Sequence, residues 1–379
     1  MSRAAQPGRR ATEADRMANL LNGRPVVPRG LVVLVGLAAT VIVLAGLRAA
    51  AGLVGPIFLA LVLTIVVHPV RGRMTRMGLP GWAATLICLV VVYALVLGLT
   101  LALVIATARF ATLIPQYEEK FDDLVGDVVA RLASAGVGDG EIRSLVDAID
   151  FGRLAGFFAS LLGGVVEILS SLVFVLTLLL FLTVDAGTFP KLLASADPSR
   201  APLVSGLRSF AIGTRTYLVV STVFGLIVAV IDTVVLALLD IPVPLLWGLL
   251  AFITNYIPNV GFVIGLVPPA VLGLLEGGWT TGLAVIVLYS LINVVIQSII
   301  QPKFVGDAVG LSTTLTFLSL VVWSWVLGPV GALLAIPFSL LVRSLLVDVD
   351  PRSQWLTPLL SNRPQPVEPT AVPAGTQEN

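Results

Sequence analysis

Ile241-Pro-Val-Pro-Leu-Leu-Trp247, Asn255-Tyr-Ile-Pro-Asn-Val-Gly261, Val267-Pro-Pro269, Asn293-Val-Val-Ile-Gln297, Gln301-Pro-Lys-Phe-Val-Gly306 and Gly328-Pro-Val-Gly331 punctuate a stretch, Ile241 to Ile336, that is otherwise almost entirely apolar. In hydrocarbon every backbone N–H and C=O must find a partner, so broken helix is tolerated at membrane depth mainly where it is buried in protein or lines a water-filled cavity. The stretch therefore predicts an all-α, polytopic membrane protein whose helices unwind part-way through the bilayer, around a route for something hydrophilic.

The remaining composition agrees. Of 379 residues, 57% are hydrophobic and 12% charged, against roughly 45–50% and about 25% in soluble domains. No water-soluble fold covers that much apolar side chain, so the lipid bilayer is the first partner expected. A formal net charge of +1 gives nucleic acid no evident hold. Cys88 and His68 each stand in apolar runs without neighbours at ligand spacing, so neither a metal site nor a cofactor is expected. Phosphate loops, paired His ligands and serine nucleophile elbows are missing, and enzyme activity is not expected.

A crossing takes about 20 mostly apolar residues. Residues 1–30 carry Arg3, Arg9, Arg10, Arg16, Arg24 and Arg29 and read as a basic cytoplasmic tail, because further spans follow the first apolar run. Leu31–Leu47, Leu53–Val67 and Trp82–Ala106 are the first three spans, filling 31–106. Arg71, Arg73 and Arg76 return to the side of the N-terminal arginines, the positive-inside pattern. Residues 107–160 then turn polar, with nine acidic and five basic residues between Arg109 and Arg153. That acidity suits an external insert. Phe110, Leu113, Ile114, Tyr117, Phe121, Leu124, Val125 and Val128 recur at helical spacing, predicting an amphipathic helix, and Ile142, Leu145, Val146 and Ile149 predict a second.

Spans four to eight occupy 161–346. They are Leu161–Val184, Tyr217–Leu239, Leu245–Leu275, Trp279–Ile300 and Leu311–Leu346, the last interrupted at Gly328-Pro329. The sixth is too long for one straight crossing and is either kinked or two half-helices around Asn255 to Gly261. The transport core is 217–346. Arg343 and Arg352 place the C-terminus inside with the N-terminus, and the proline-rich residues 347–379 read as a disordered cytoplasmic tail.

Within this frame a few polar groups are candidates for a transport pathway. Asn293, Gln297 and Gln301 are spaced four apart and share one helical face if helix persists to the residue before Pro302. Carboxamides both donate and accept, so such a row suits a hydroxylated solute or a cation; the bland role is interhelical bonding. Pro258 breaks the helix, Gly261 permits unusual or close-packed backbone, and Asn255 and Asn259 can satisfy the exposed groups. Asp232 is a carboxylate inside a span, a costly placement that points to proton or sodium binding unless an external vestibule solvates it.

These blocks carry a resemblance. Leu246-Trp-Gly-Leu-Leu-Ala-Phe252, Asn255 to Gly261, Pro268-Pro269, Gln301 to Gly306, Gly310-Leu-Ser312 and Trp323-Ser-Trp-Val-Leu-Gly-Pro-Val-Gly-Ala-Leu-Leu-Ala-Ile-Pro337 closely resemble the autoinducer-2 exporter family of bacterial multi-pass membrane proteins. The resemblance implies about eight spans, a bacterial plasma-membrane location and secondary export of a small polar solute such as autoinducer-2, or exchange of sodium for protons. The family commonly has an acid where this chain has Gln301. A neutral amide releases no proton, so any coupling served by that acid would move here to Asp232. A different class of function, a membrane scaffold or sensor docking through the acidic insert, is the alternative. The amphipathic insert and small-residue pairs also suit a homo-oligomer. A polar cavity beside Asn255 and Asn293 would favour transport, and a dry, filled bundle the scaffold.

Overall fold

The computed structural model describes residues 28–135, 172–189, 200–258, 260–301 and 311–350, with single positions 138, 152, 156, 195 and 353. Every regular element among them is helical, and six helices are long and apolar enough to cross a membrane. The chain divides into two compact units, 1–49 and 50–379. The first contains α1 (Arg29–Ala49), whose Leu34, Val41 and Ile42 all stand exposed. A helix apolar on every side needs hydrocarbon around it.

The second unit begins with α2 (Ala51–Arg76), α3 (Gly81–Ser134) and α4 (Leu172–Asp185). Ala60 of α2 with Val175 and Leu179 of α4 forms a small core against Leu89 and Tyr93 of α3. At one end of this trio Arg71 Nε donates to Thr85 Oγ1 at 2.7 Å, and the Tyr93 hydroxyl donates to the Leu176 carbonyl. α3 is 54 residues long, about 81 Å at 1.5 Å per residue. That is more than twice the hydrocarbon thickness of about 30 Å. The third span and the first helix of the polar insert are thus one rod, because a single buried stripe, Leu103, Ala106, Phe110, Tyr117 and Phe121, continues across residue 107. The insert's second helix, and the first half of the fourth span, lie outside the described residues.

α5 (Ala201–Leu238) starts sixteen residues before Tyr217, the start of the fifth span read from the sequence. Arg208 and Arg215 belong to the same helix, since Gly206, Phe210, Gly213, Thr214 and Tyr217 already bury one face. The chain then reverses through Asp240 and Val243, both left-handed at φ 55° and 51°, a conformation that is a true outlier for a β-branched residue. Trp247 holds the turn by donating its indole N–H to the Pro242 carbonyl at 3.0 Å.

After this turn the helices are short and doubled back. α6 (Pro244–Thr254) runs antiparallel to α5, with Gly248 against Ala229 and Thr233, and Asn255 against Gly225. α7 (Gly261–Asn293) folds its first limb back on α6, with Gly261 against Thr254 and Gly265 against Ala251. Gly278, at φ 67°, reverses the chain again, and Gly273 then faces Val285 and Gly282. Of the two alternatives for the sixth segment, half-helices hold. α6 has 11 residues, about 16 Å, and cannot reach across the hydrocarbon alone.

The second limb of α7 continues into wide π-helical turns, Val294–Ile300. α8 (Thr313–Leu333) breaks at Gly328, φ 65°. α9 (Ala335–Arg343), with π turns at Ser344–Asp348, comes back alongside it. Trp323 Nε1 donates to Ser339 Oγ at 3.0 Å, and Ser339 donates to Ser319 Oγ at 2.7 Å, which ties the two limbs together. Phe338 stacks on both Trp323 and Phe58 of α2, at 4.5 and 3.7 Å between ring centroids. The interruption at Gly328-Pro329 is therefore the tip of a hairpin, and Val330 within it lies against Gly55.

Candidate functional site

The described part of the α6–α7 hairpin tip, residues 255–258, is half-buried and lies against the middle of α5. Three bonds fix it there. Asn255 Nδ2 donates to the Ser221 carbonyl at 2.9 Å, the Tyr217 hydroxyl donates to the Tyr256 carbonyl at 2.8 Å, and the hydroxyls of Tyr256 and Thr222 lie 2.7 Å apart. Ser221 is seventeen residues before Leu238, the end of α5, about 26 Å along the helix. The chain thus opens its backbone about half-way along α5, where in hydrocarbon polar partners have to come from side chains.

Those partners form a chain of amides. Gln297 Nε2 donates to Asn255 Oδ1 at 2.9 Å and to Asn293 Oδ1 at 2.6 Å, while Asn293 Nδ2 donates to the Tyr289 carbonyl at 2.9 Å. Asn293 and Gln297 share a face as their spacing predicts, and the π turns begin between them. Single π turns inside helices recur at functional sites.

The amides border a narrow, partly open cavity of about 10 Å³, close to the space one water occupies. Val228 and Asp232 of α5, Ala251 and Thr254 of α6, Asn255, and Phe262, Gly265, Tyr289, Asn293 and Gln297 of α7 line it. Asp232 is 0% exposed. Neither of its carboxylate oxygens has a hydrogen-bond partner, and the Tyr289 hydroxyl is likewise buried without one, among the described residues. Pro269 has no N–H, so the Gly265 carbonyl loses its usual i+4 donor beside the same cavity.

Of the residues proposed from the sequence, Asp232, Asn255, Asn293 and Gln297 come together here. Pro258 and Gly261 shape the hairpin tip without lining the cavity. Gln301 follows the π turns and does not line it either. Asn259 and Pro302 lie outside the described residues. Tyr289 and Thr254 were not foreseen, although Tyr289 is four residues before Asn293 and so on the same helical face. Thr254 carries no such signal, because only the folding back of α6 on α7 brings it in.

A second polar cluster sits at the other end of α7's first limb. Glu276, at the turn, accepts from the Tyr117 hydroxyl at 2.7 Å and from Lys120 Nζ at 2.6 Å, both on the polar extension of α3. Burial pushes the Glu276 carboxyl up, but the bonds from Lys120 and Tyr117 outweigh it and hold the group below the usual carboxylate range. Burial, reinforced by the carboxylate, pushes the Tyr117 phenol well above its ordinary value, so it remains a donor.

Comparison with known proteins gives this architecture a context. Residues 37–349 match the model of the AI-2E family transporters. The AI-2 transport protein TqsA of Escherichia coli is 32% identical over 325 residues, covering 84% of this chain and 93% of TqsA. A Haemophilus influenzae protein named for transport is 30% identical over 82% of this chain and 90% of its own length. The matched region takes in the broken helices, the amide chain and the cavity, and the chain belongs to the AI-2E family of membrane transporters.

Proposed function

We propose that this transporter exports a small, hydroxyl-rich polar solute of the AI-2 kind from the bacterial cytoplasm, across the plasma membrane, through the gap between α5, the α6–α7 hairpin and the second limb of α7. Both termini lie in the cytoplasm in this reading. The observation that carries it is the amide-lined cavity at the point where two short helices meet inside an otherwise apolar bundle. Bonds between neutral side chains inside membrane bundles average only about 0.6 kcal/mol. Gln297 can therefore exchange its two amide partners for a solute's hydroxyls at little cost, whereas an ion-paired lock would resist. The TqsA likeness supports AI-2 as the first solute to try.

Everted membrane vesicles or proteoliposomes test this. AI-2 flux should be measurable with the wild-type chain and fall about tenfold, the equivalent of 1.4 kcal/mol, in Asn255→Ala and Gln297→Ala at unchanged expression. Undiminished flux in both variants would remove the cavity from the pathway. Sodium-driven collapse of a pH gradient without AI-2 flux would instead support the exchanger reading. If neither flux is found and deleting residues 107–160 abolishes partner association, the scaffold reading takes over.

A further inference from the structure

The amide chain uses its own hydrogen-bonding groups on one another, on Ser221 and on Tyr289's carbonyl. Asp232 is left out of it. Its carboxyl is completely buried, both oxygens face no donor among the described residues, and it shares a water-sized cavity with the equally unpartnered Tyr289 hydroxyl. Among the described residues, those lining the cavity with it offer no counter-charge. α5 contributes Val228, and α6 contributes Ala251 and Thr254, with Asn255 following. α7 contributes Phe262, Gly265, Tyr289, Asn293 and Gln297, so the Tyr289 phenol is the other titratable group lining the cavity. One turn further along α5, Leu236 packs into the apolar cluster that holds Leu103 and Ala106 of α3.

An ionised carboxylate in such a place has lost its water and gained neither a cation nor an N–H. Burying an isolated charge is so costly that the group takes up a proton instead. We propose that Asp232 binds one proton in this narrow cavity, with Tyr289 and one water as its hydrogen-bonding partners, and that release of this proton when the cavity widens is the event coupled to solute movement. The step is a simple exchange, carboxylate plus proton giving carboxylic acid, with the proton drawn from one aqueous side and delivered to the other. The cavity volume of about 10 Å³ admits that single water, whose need for two to four polar partners the carboxyl and phenol begin to meet. The coupling rests on the transport reading above, whereas proton binding does not.

Infrared difference spectroscopy of the full chain in lipid nanodiscs separates the two. At neutral pH the wild type should show the C=O stretch of a protonated carboxyl, absent in Asp232→Asn and shifted in Tyr289→Phe, and unchanged when sodium replaces choline. No such band in the wild type, or one that survives in Asp232→Asn, would overturn the proposal. Loss of the band on adding sodium would also overturn it, in favour of a metal cation. In proteoliposomes, wild-type flux should respond at least several-fold to an imposed pH gradient, and any flux kept by Asp232→Asn should not. Equal sensitivity in both would refute the coupling. A band with no flux of any solute would sink the transport reading while leaving the proton site standing.

Discussion

At the scale of single residues, the hairpin tip depends on what is missing from Gly261. A Cβ built there would come within 1.7 Å of the Thr254 carbonyl oxygen, a backbone atom that cannot step aside without moving α6. Gly261→Ala should therefore destabilise the core by about 1–3 kcal/mol, the usual cost of overpacking. Thermal unfolding in detergent should show the loss, and the tip's bond from Asn255 to Ser221 should loosen with it. Gly98, with open space around its Cβ position, is the control. There Gly→Ala removes a flexible residue from a helix interior and should stabilise by up to about 1 kcal/mol. A similar effect at both sites would show that the close approach is not structural. Gln297→Leu offers a second probe, because it strips the donor from Asn255 Oδ1 and Asn293 Oδ1 together. Leaving a buried acceptor unpaired costs about 1–3 kcal/mol, so the loss should exceed that of Gln301→Leu, which lies outside the cavity. The four-residue spacing of Asn293 and Gln297 was readable directly from the sequence. The bond from Gln297 to Asn255 was not, since nothing local says that a residue forty-two positions earlier returns to the same place.

At the scale of elements, the bond between α3 and the α7 turn determines what the long helix does. The Lys120–Glu276 pair at 2.6 Å, with Tyr117 on the same carboxylate, fixes the polar extension of α3 to the end of the α6–α7 hairpin, while Phe110 packs edge-on against Trp247 at 5.0 Å. The pair is partly exposed, at 44% and 29% for the two side chains, so it contributes about 1 kcal/mol at most. Its sign with pH is fixed by the direction of the shift. Glu276 is held below the ordinary carboxylate range, so its contribution is complete above that range and is lost as pH falls through the lower, docked value. Hydrogen exchange along residues 111–134 should accelerate as the medium is acidified past that point. Glu276→Gln should show the faster exchange already at neutral pH, with no further acid dependence. An extension whose protection ignores both changes is not held by this contact. The apolar periodicity of 110–128 predicted a helix, but composition alone placed its boundary at 107, because a change from lipid-facing to polar side chains looks like an ending even where the buried stripe runs on.

At the scale of the whole second unit, two reversals decide the topology. Gly278 and Gly328 take positive φ values of 67° and 65°, which let the chain double back where a residue with a side chain would resist. A sequence shows a glycine and a proline in an apolar run, but not whether the chain bends onward or turns round, so two long interrupted spans and two hairpins read alike. The contacts choose hairpins. Trp247 and Glu276, near the two ends of the α6–α7 pair, both meet α3, at Phe110 and at Tyr117, so that pair returns to the side it entered. Asp240 and Thr280 should then face the same compartment, the outside under the positive-inside rule, whereas a through-going sixth span would separate them. The α8–α9 pair should similarly bring Thr313 and Asp350 to one compartment, the cytoplasm under the same rule. The one cysteine, Cys88, is buried and can be replaced by serine to give a clean background. In intact cells a membrane-impermeant maleimide should label Asp240→Cys and Thr280→Cys but leave Thr313→Cys and Asp350→Cys unmodified until the membrane is permeabilised. Labelling of Asp240→Cys without Thr280→Cys would restore a full crossing between them. It would also move the amide cavity from a hairpin tip to the middle of a through-going span, and the widening proposed to release the Asp232 proton would then have to come from elsewhere.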